Sequence, residues 1–201
     1  MSSFDERARD WDTPERRQRA EEVARAIRAS VALSLTTRAI DVGAGTGLLG
    51  LALAGDLGEV VLAEPSNGML EVVREKLAAS GPRNVTAVRF DLTSDPPPGA
   101  PFDLAVSLLV LHHLEDTAGA LGAILRLLRP GGRIALADLD TEDGSFHDPD
   151  AEGIHHHGFD REALADLARA AGFADVEFRS ATEIEHEGGR FPVFLLLARR
   201  P

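Results

Sequence analysis

Residues 39–47, Ala39-Ile40-Asp41-Val42-Gly43-Ala44-Gly45-Thr46-Gly47 ("AIDVGAGTG"), place three glycines within five positions directly after a short apolar run. A glycine turn between a strand and a helix lets backbone come close to a ligand. It also aims N–H groups and the positive helix end at an anion. The pattern around it is an alternation of strand and helix. Thr13-Pro14 reads as an N-cap followed by proline at the first helical position, predicting a helix to about Ser34 with Ala20, Val23, Ala24, Ile27 and Val31 as its apolar stripe. Further helices are predicted at 48–54, at 66–79 behind the cap Ser66 and before Gly81-Pro82, at 117–128, and at 160–171 behind the cap Asp160. Strands are predicted at 38–42, 59–63, 85–90, 102–107 and 134–139. Two more, 175–179 and 191–198, have no helix between them and are joined through a reversal at 183–189. The expected fold is α/β: a Rossmann-like, doubly wound, seven-stranded and mostly parallel sheet, its last strand antiparallel, with helices on both faces.

The composition suits one domain over residues 1–201: 44% of residues are hydrophobic and 27% charged, enough for a single core. No apolar run reaches the roughly 18–20 residues of a membrane span. The first twenty residues lack the apolar centre of a signal peptide, and there is no cysteine. These features lead to an expectation of a cytoplasmic protein without membrane contact. Acidic residues number 33 against 21 basic ones, for a net charge of -12, which disfavours nucleic acid and leaves a small molecule as the expected partner.

Which ligand the turn holds follows from its neighbours. A triphosphate-binding loop needs Lys then Ser or Thr after the glycines, and "GAGTGLLG" has neither. The dinucleotide fingerprint needs a glycine at position 48, which is Leu48. Asp41, ahead of the glycines, suits a cation, so the ligand should carry a carboxylate and an ammonium, as an amino acid does. Glu64 ends the second strand, where a carboxylate can accept from two ribose hydroxyls, and Asp91 ends the third, in reach of an adenine amino group. Strand-end solubility or capping would explain either acid alone. An amino acid joined to adenosine is S-adenosylmethionine, whose product is S-adenosylhomocysteine.

The chain resembles the class I S-adenosylmethionine-dependent methyltransferases over nearly its whole length. "AIDVGAGTG" is similar to the first motif of that family, "VVLAEPSNGML" to its second and "RFDLTS" to its third. "FDLAVSLLVLHHLED" and "LLRPGGRIALADL" resemble the later two. The opening "FDERARDWD" resembles the lid found in small-molecule and ubiquinone/menaquinone-type members. The resemblance implies a helical lid over 1–36 and a core over 37–201. It implies that Asp41, Gly43, Ala44, Gly45 and Gly47 hold the methionine part, Glu64 the ribose, and Asp91 with Leu92 the adenine. Pro65, Met69, Ser107 and Leu108 would line the pocket, with Trp11 closing over it.

Methyl transfer is an in-line displacement at a sulfonium carbon, so the protein must position the acceptor, exclude water and, for an oxygen or nitrogen acceptor, supply a base. His112 and His113 follow the fourth strand, where the family often carries a histidine near the methyl group; packing at a helix entry would explain them equally. The loop 140–158 adds His147, Asp148 and His155-His156-His157. It is open to three interpretations: a plain polar surface, a substrate lid in which His155 or His157 acts as base or positions the acceptor, or a metal site with Asp148. The last is the weakest, since consecutive side chains of an extended segment point to opposite sides, and no metal is expected. The expected activity is methyl transfer to O, N or C of a small or medium-sized organic acceptor, by a monomer or homodimer. A non-catalytic binder of the same cofactor and a nicotinamide-dependent oxidoreductase are the alternatives.

Overall fold

The computed structural model describes residues 3–99, 101–147, 151 and 153–201. Seven strands, β1 (Arg38–Val42), β2 (Glu59–Glu64), β3 (Val85–Arg89), β4 (Phe102–Leu108), β5 (Leu128–Leu139), β6 (Ala174–His186) and β7 (Gly189–Arg199), form one sheet in the order β3-β2-β1-β4-β5-β7-β6. The first five run parallel, while β7 is antiparallel to both β5 and β6. The chain leaves β3 at one edge and re-enters as β4 on the far side of β1. That crossing is the topological switch point at which such sheets open a crevice.

Alternate residues of the central strands feed two cores. Ala39, Val60, Leu104 and Ala135 face the cluster built with Val23 and Ile27 of α2 (Pro14–Ser30), Leu49 and Leu53 of α3 (Leu48–Leu53) and Val73 of α4 (Asn67–Ser80). Ile40, Val61, Ala105 and Ile134 face the other, built with Leu121 and Ile124 of α5 (Thr117–Leu127) and Leu164 and Ala168 of α6 (Arg161–Ala170). A strand buried on both faces reads as a continuous apolar run, which is how these strands announce themselves in the sequence.

The helix starts fall where side-chain caps predict them. Thr13, Ser66 and Asp160 each accept from the backbone N–H three residues on. Several ends differ. The helix α2 stops at Ser30, because Val31 turns to extended backbone with φ −124 and ψ 130. Pro130-Gly131-Gly132 does not separate α5 from its strand: β5 already begins at Leu128 opposite Phe102 and bulges before Arg133 pairs with Leu104. The segment 183–189 is mostly strand, and the reversal is confined to Glu187-Gly188, both at positive φ (48° and 81°), as a tight hairpin turn requires. Ahead of α2, a short helix α1 (Ser3–Arg7) and a single 3-10 turn at Ala8–Asp10 lie against α4. No helix among the described residues is long and apolar enough to cross a membrane.

Candidate functional site

The carboxyl ends of the parallel strands open into a cleft of ≈ 1240 Å³. Its floor is the glycine turn. Gly43, Gly45 and Gly47 have φ of +66°, +55° and +84°, so all three occupy the left-handed region that disfavours a side chain. A Cβ at Gly43 would stand 2.7 Å from Val110 Cγ2, whereas one at Gly45 would meet only Trp11 Nε1, at 3.7 Å. The turn is tied down by its own amides. Gly43 and Ala44 N–H both donate to Ala63 O (2.9 and 3.1 Å), Gly47 N–H donates to Ala44 O, and Gly45 N–H donates to Glu64 Oε2 at 2.8 Å. The anion-binding amides foreseen at Gly43, Ala44, Gly45 and Gly47 are therefore spent within the protein.

Three acids lie at or just beyond the carboxyl ends of the first three strands. Asp41 is 1% exposed, and its Oδ2 accepts from Gly50 N–H of α3 at 2.9 Å. Burial pushes its pKa up to about 7. Glu64 is buried too, which raises its pKa, while its Oε1 accepts from Ser66 N–H at 2.8 Å. A carboxylate offers about four lone-pair sites, so two remain for ribose hydroxyls after Gly45 and Ser66 are served. Asp91 Oδ1 accepts from Thr93 N–H and Oγ1 (2.9 and 2.7 Å), and the hydroxyl bond holds its pKa below the usual carboxylate range. Of the residues expected around a cofactor, Trp11, Asp41, Gly43, Ala44, Gly45, Glu64, Pro65, Met69, Asp91 and Leu108 line the cleft. Gly47 caps α3, while Leu92 and Ser107 are buried beneath the wall. Ser107 Oγ is a buried hydroxyl without a hydrogen-bond partner among the described residues.

The N-terminal segment covers the turn through two aspartates that the sequence did not single out. Asp5 Oδ1 accepts from Ser66 Oγ (2.6 Å) and Gly68 N–H (2.9 Å), and Gly68 has no room for a Cβ because Asp5 backbone lies 2.7 Å from it. Asp12 takes the Thr46 hydroxyl on one oxygen and Lys76 Nζ, at 2.6 Å, on the other. Trp11 is held between Phe4, ring centroids 5.8 Å apart, and the Arg16 guanidinium, 4.0 Å above its ring.

At the other end of the cleft stands a cluster of imidazoles. A 3-10 turn at Leu111–His113 follows β4 and places both histidines beside the carboxyl end of β5. His112, 1% exposed, donates from Nδ1 to Asp138 Oδ1 at 2.7 Å; Asp138 is fully buried and also accepts from Leu111 and Leu139 N–H at 2.8 Å. That bond makes Nδ1 the donor, so the neutral imidazole carries its lone pair on Nε2, an atom buried and without a hydrogen-bond partner among the described residues. His113 packs at 4.1 Å from it, donates from Nδ1 to Gly153 O at 2.9 Å and meets Phe4 edge-on. His147, 5.1 Å from His112, also buries a partnerless Nε2. Burial pushes His113 and His147 down to about 4, helped by His112 next to them, so both are neutral at physiological pH.

His155 and His157 do not enter this cleft. Their side chains are exposed, and His157 pairs with Glu142 at 3.2 Å near the base of its own loop. The loop instead reaches the site through backbone, as His155 and His156 N–H both donate to His112 O (3.0 and 3.2 Å). His156 Nε2 donates to Leu114 O at 3.0 Å. Alternation along an extended segment, invoked against a three-histidine metal site, equally leaves these side chains facing away from the cluster. Asp148 lies outside the described residues, and among those described no group of three His, Cys, Asp or Glu is arranged to hold a metal ion. Asp138 was the residue the sequence reading missed; His147 was noted in its loop but not as a neighbour of His112. The available signal was a carboxylate within the otherwise apolar "RIALADL", since a charge inside a buried strand needs a partner.

A smaller hollow of ≈ 380 Å³, bordered by Arg133, Asp175 and Arg199, contains none of the residues expected around the cofactor or the acceptor.

The family model described as "Methyltransferase domain" matches residues 15–177. A demethylmenaquinone methyltransferase of Clavibacter sepedonicus is 33% identical over 171 residues, covering 72% of this chain and 69% of that protein. A ubiquinone/menaquinone biosynthesis C-methyltransferase of Shewanella sediminis is 29% identical over 187 residues, covering 77% and 74%. Among solved structures, a methyltransferase in complex with the Haloferax volcanii Trm112 activator matches with a TM-score of 0.81 at 19% identity, covering 100% of this chain and 99% of that one. A SAM-dependent methyltransferase from Aquifex aeolicus matches at 0.75 with 18% identity, covering 98% of each.

Proposed function

This chain belongs to the methyltransferase-domain family and is an S-adenosylmethionine-dependent methyltransferase acting on a small molecule, and we propose that His112 is the base that readies its acceptor. The observation that carries the proposal is the buried Asp138–His112 pair, whose Nε2 lone pair is left without a partner in the wall of the cleft that holds the glycine turn. A buried polar atom without a partner asks for a reason, and a proton to be received is one.

The cofactor side fits the donor. The cleft has three left-handed glycines at its floor, open space above Gly45, and buried carboxylates at Asp41 and Glu64. In the proposed assignment Asp41 faces the ammonium, Glu64 the ribose hydroxyls and Asp91 the adenine; Met69, Pro65 and Leu108 pack around them, while Leu92 and Ser107 do not line the cleft and take no direct part. The N-terminal lid, with Trp11 between Phe4 and Arg16, excludes water, and His155 and His156 cover His112 from the acceptor side through their backbone. When bound, the donor supplies a methyl group on a sulfonium sulfur and departs as neutral S-adenosylhomocysteine.

The chain's own part in the reaction is proton management and positioning. A ring hydroxyl of the acceptor passes its proton to His112 Nε2, and the electrons released make either that oxygen or a ring carbon beside it nucleophilic. Asp138 keeps the imidazole in the productive tautomer and stabilises the imidazolium. The relatives named as demethylmenaquinone and quinone-biosynthesis C-methyltransferases support a hydroxylated aromatic ring as acceptor. Light scattering decides between the expected monomer and homodimer.

The test is kinetic. His112→Ala should lower kcat by about 10²–10⁴-fold, with S-adenosylhomocysteine affinity within threefold of the parent. Asp138→Asn should lower kcat less and alter the acid limb of the pH–rate profile. Full turnover by His112→Ala would refute the assignment.

A further inference from the structure

One guanidinium lining the cleft, that of Arg19, has no ion pair or hydrogen bond among the described residues; the only opposite charge acting on it is the more distant one of Glu22. Arg19 lies on α2 one turn beyond Arg16 and lines the same cleft as His112. It is partly buried, and no ion pair or hydrogen bond to it is found among the described residues. Glu15, one turn earlier on α2, bonds Thr13 at the helix start, and three further acids have other partners. Glu22, one turn on, takes Thr182 Oγ1 on one oxygen and Gln18 Nε2 on the other. Glu185, on the hairpin wall opposite, pairs with Arg190 at 3.3 Å, and Asp12 with Lys76 and Arg17. Arg16 is spoken for by Trp11, stacking on its ring and donating to its carbonyl at 3.1 Å. Desolvation lowers Arg19 to about 10, Arg16 beside it adds to the effect and Glu22 offsets part of it, so the guanidinium stays charged at neutral pH while deprived of part of its water. A partly desolvated charge without a partner is unfavourable unless a ligand supplies one. The planar guanidinium fork matches a carboxylate in two parallel bonds.

We propose that Arg19 is the specificity residue for the acceptor, receiving a carboxylate on it, so that the preferred substrate is a hydroxylated aromatic acid and not a neutral quinone. The inference rests on the aromatic acceptor proposed above and concerns which aromatic acceptors enter. It also separates this chain from relatives named for quinones: the ring presents its hydroxyl to His112 while its acid group is held on α2.

The test reads binding, so it stands apart from the assignment of His112. Tryptophan fluorescence of the S-adenosylhomocysteine complex reports ligands through Trp11, the single tryptophan, which lines the cleft. 1-Hydroxy-2-naphthoate should bind about 10–100-fold more tightly than 1-naphthol, the range of a charge-assisted hydrogen bond. Arg19→Gln should erase that difference with 1-naphthol unchanged, and Arg19→Lys should restore part of it. Equal affinity of acid and naphthol for the parent protein, or a preference that survives Arg19→Gln, would overturn the proposal. Tighter, Arg19-dependent binding of 1-naphthyl phosphate would overturn the carboxylate in favour of a phosphate. Loss of turnover in His112→Ala bears on the base alone, so the two assignments fail separately.

Discussion

A single buried carboxylate shows how sequence and structure divide the work. Asp41 was legible as an acid beside a glycine turn, but not as the partner of Gly50 N–H that pins α3 to β1. Its pKa of about 7 against an ordinary 3.8 has a thermodynamic consequence. Below pH about 4 both folded and unfolded chains hold the proton and nothing is lost. Between about 4 and 7 the unfolded chain gives it up first, so stability falls as pH rises, and the loss is complete above 7. Asp41→Asn removes that slope: urea unfolding should show the variant gaining on the parent by up to about 4 kcal/mol between pH 4 and pH 8. A constant difference across that range would mean that Asp41 is not held protonated. His113 and His147 act in the opposite sense, their depressed pKa values costing stability as pH falls from 6.5 towards 4. The comparison with Asp41→Asn cancels them. Asp138 escaped notice for a related reason: its meaning depends on His112, 26 positions away, and one residue out of register would have faced the opposite core.

At the scale of the element, caps were readable and strand ends were not. Thr13, Ser66 and Asp160 carry their function within three residues, whereas the start of β5 and the length of β6 are set by partners distant in the chain. The N-terminal segment illustrates a second kind of hidden information. "FDERARDWD" resembles a lid, but the pattern does not say what holds it: Asp5 and Asp12 each bond an element that lines the cofactor cleft. If the segment is a lid, Asp5→Ala combined with Asp12→Ala should free it. Trypsin should then cut after Arg7 and Arg9 several-fold faster than in the parent, and S-adenosylhomocysteine should bind about tenfold more weakly. Unchanged cleavage would show the segment anchored by packing alone.

For the whole molecule, the alternation of elements disclosed the doubly wound sheet and the ends of its strands disclosed the donor. The other wall of the cleft was out of reach because it is assembled from α2, the 3-10 turn, Phe146, His147 and Ala151, and the tip of β6, which come together only in the folded chain. The donor assignment has a global readout. A ligand that binds only the folded state at 100 times its dissociation constant stabilises it by about 2.7 kcal/mol. For a chain of this size that is a rise in Tm of about 5–10 °C. S-Adenosylhomocysteine should produce it in a thermal melt and NAD should not; a shift with NAD would reopen the oxidoreductase alternative. The strand order carries a consequence for biosynthesis. Because β7 lies between β5 and β6, β6 pairs only with a strand made after it, and β5 keeps a bare edge until Gly189–Arg199 have left the ribosome. The nascent protein thus passes through a stage with an exposed apolar sheet edge, the kind of surface that chaperones shield. Stalling translation before Gly189 should hold it there.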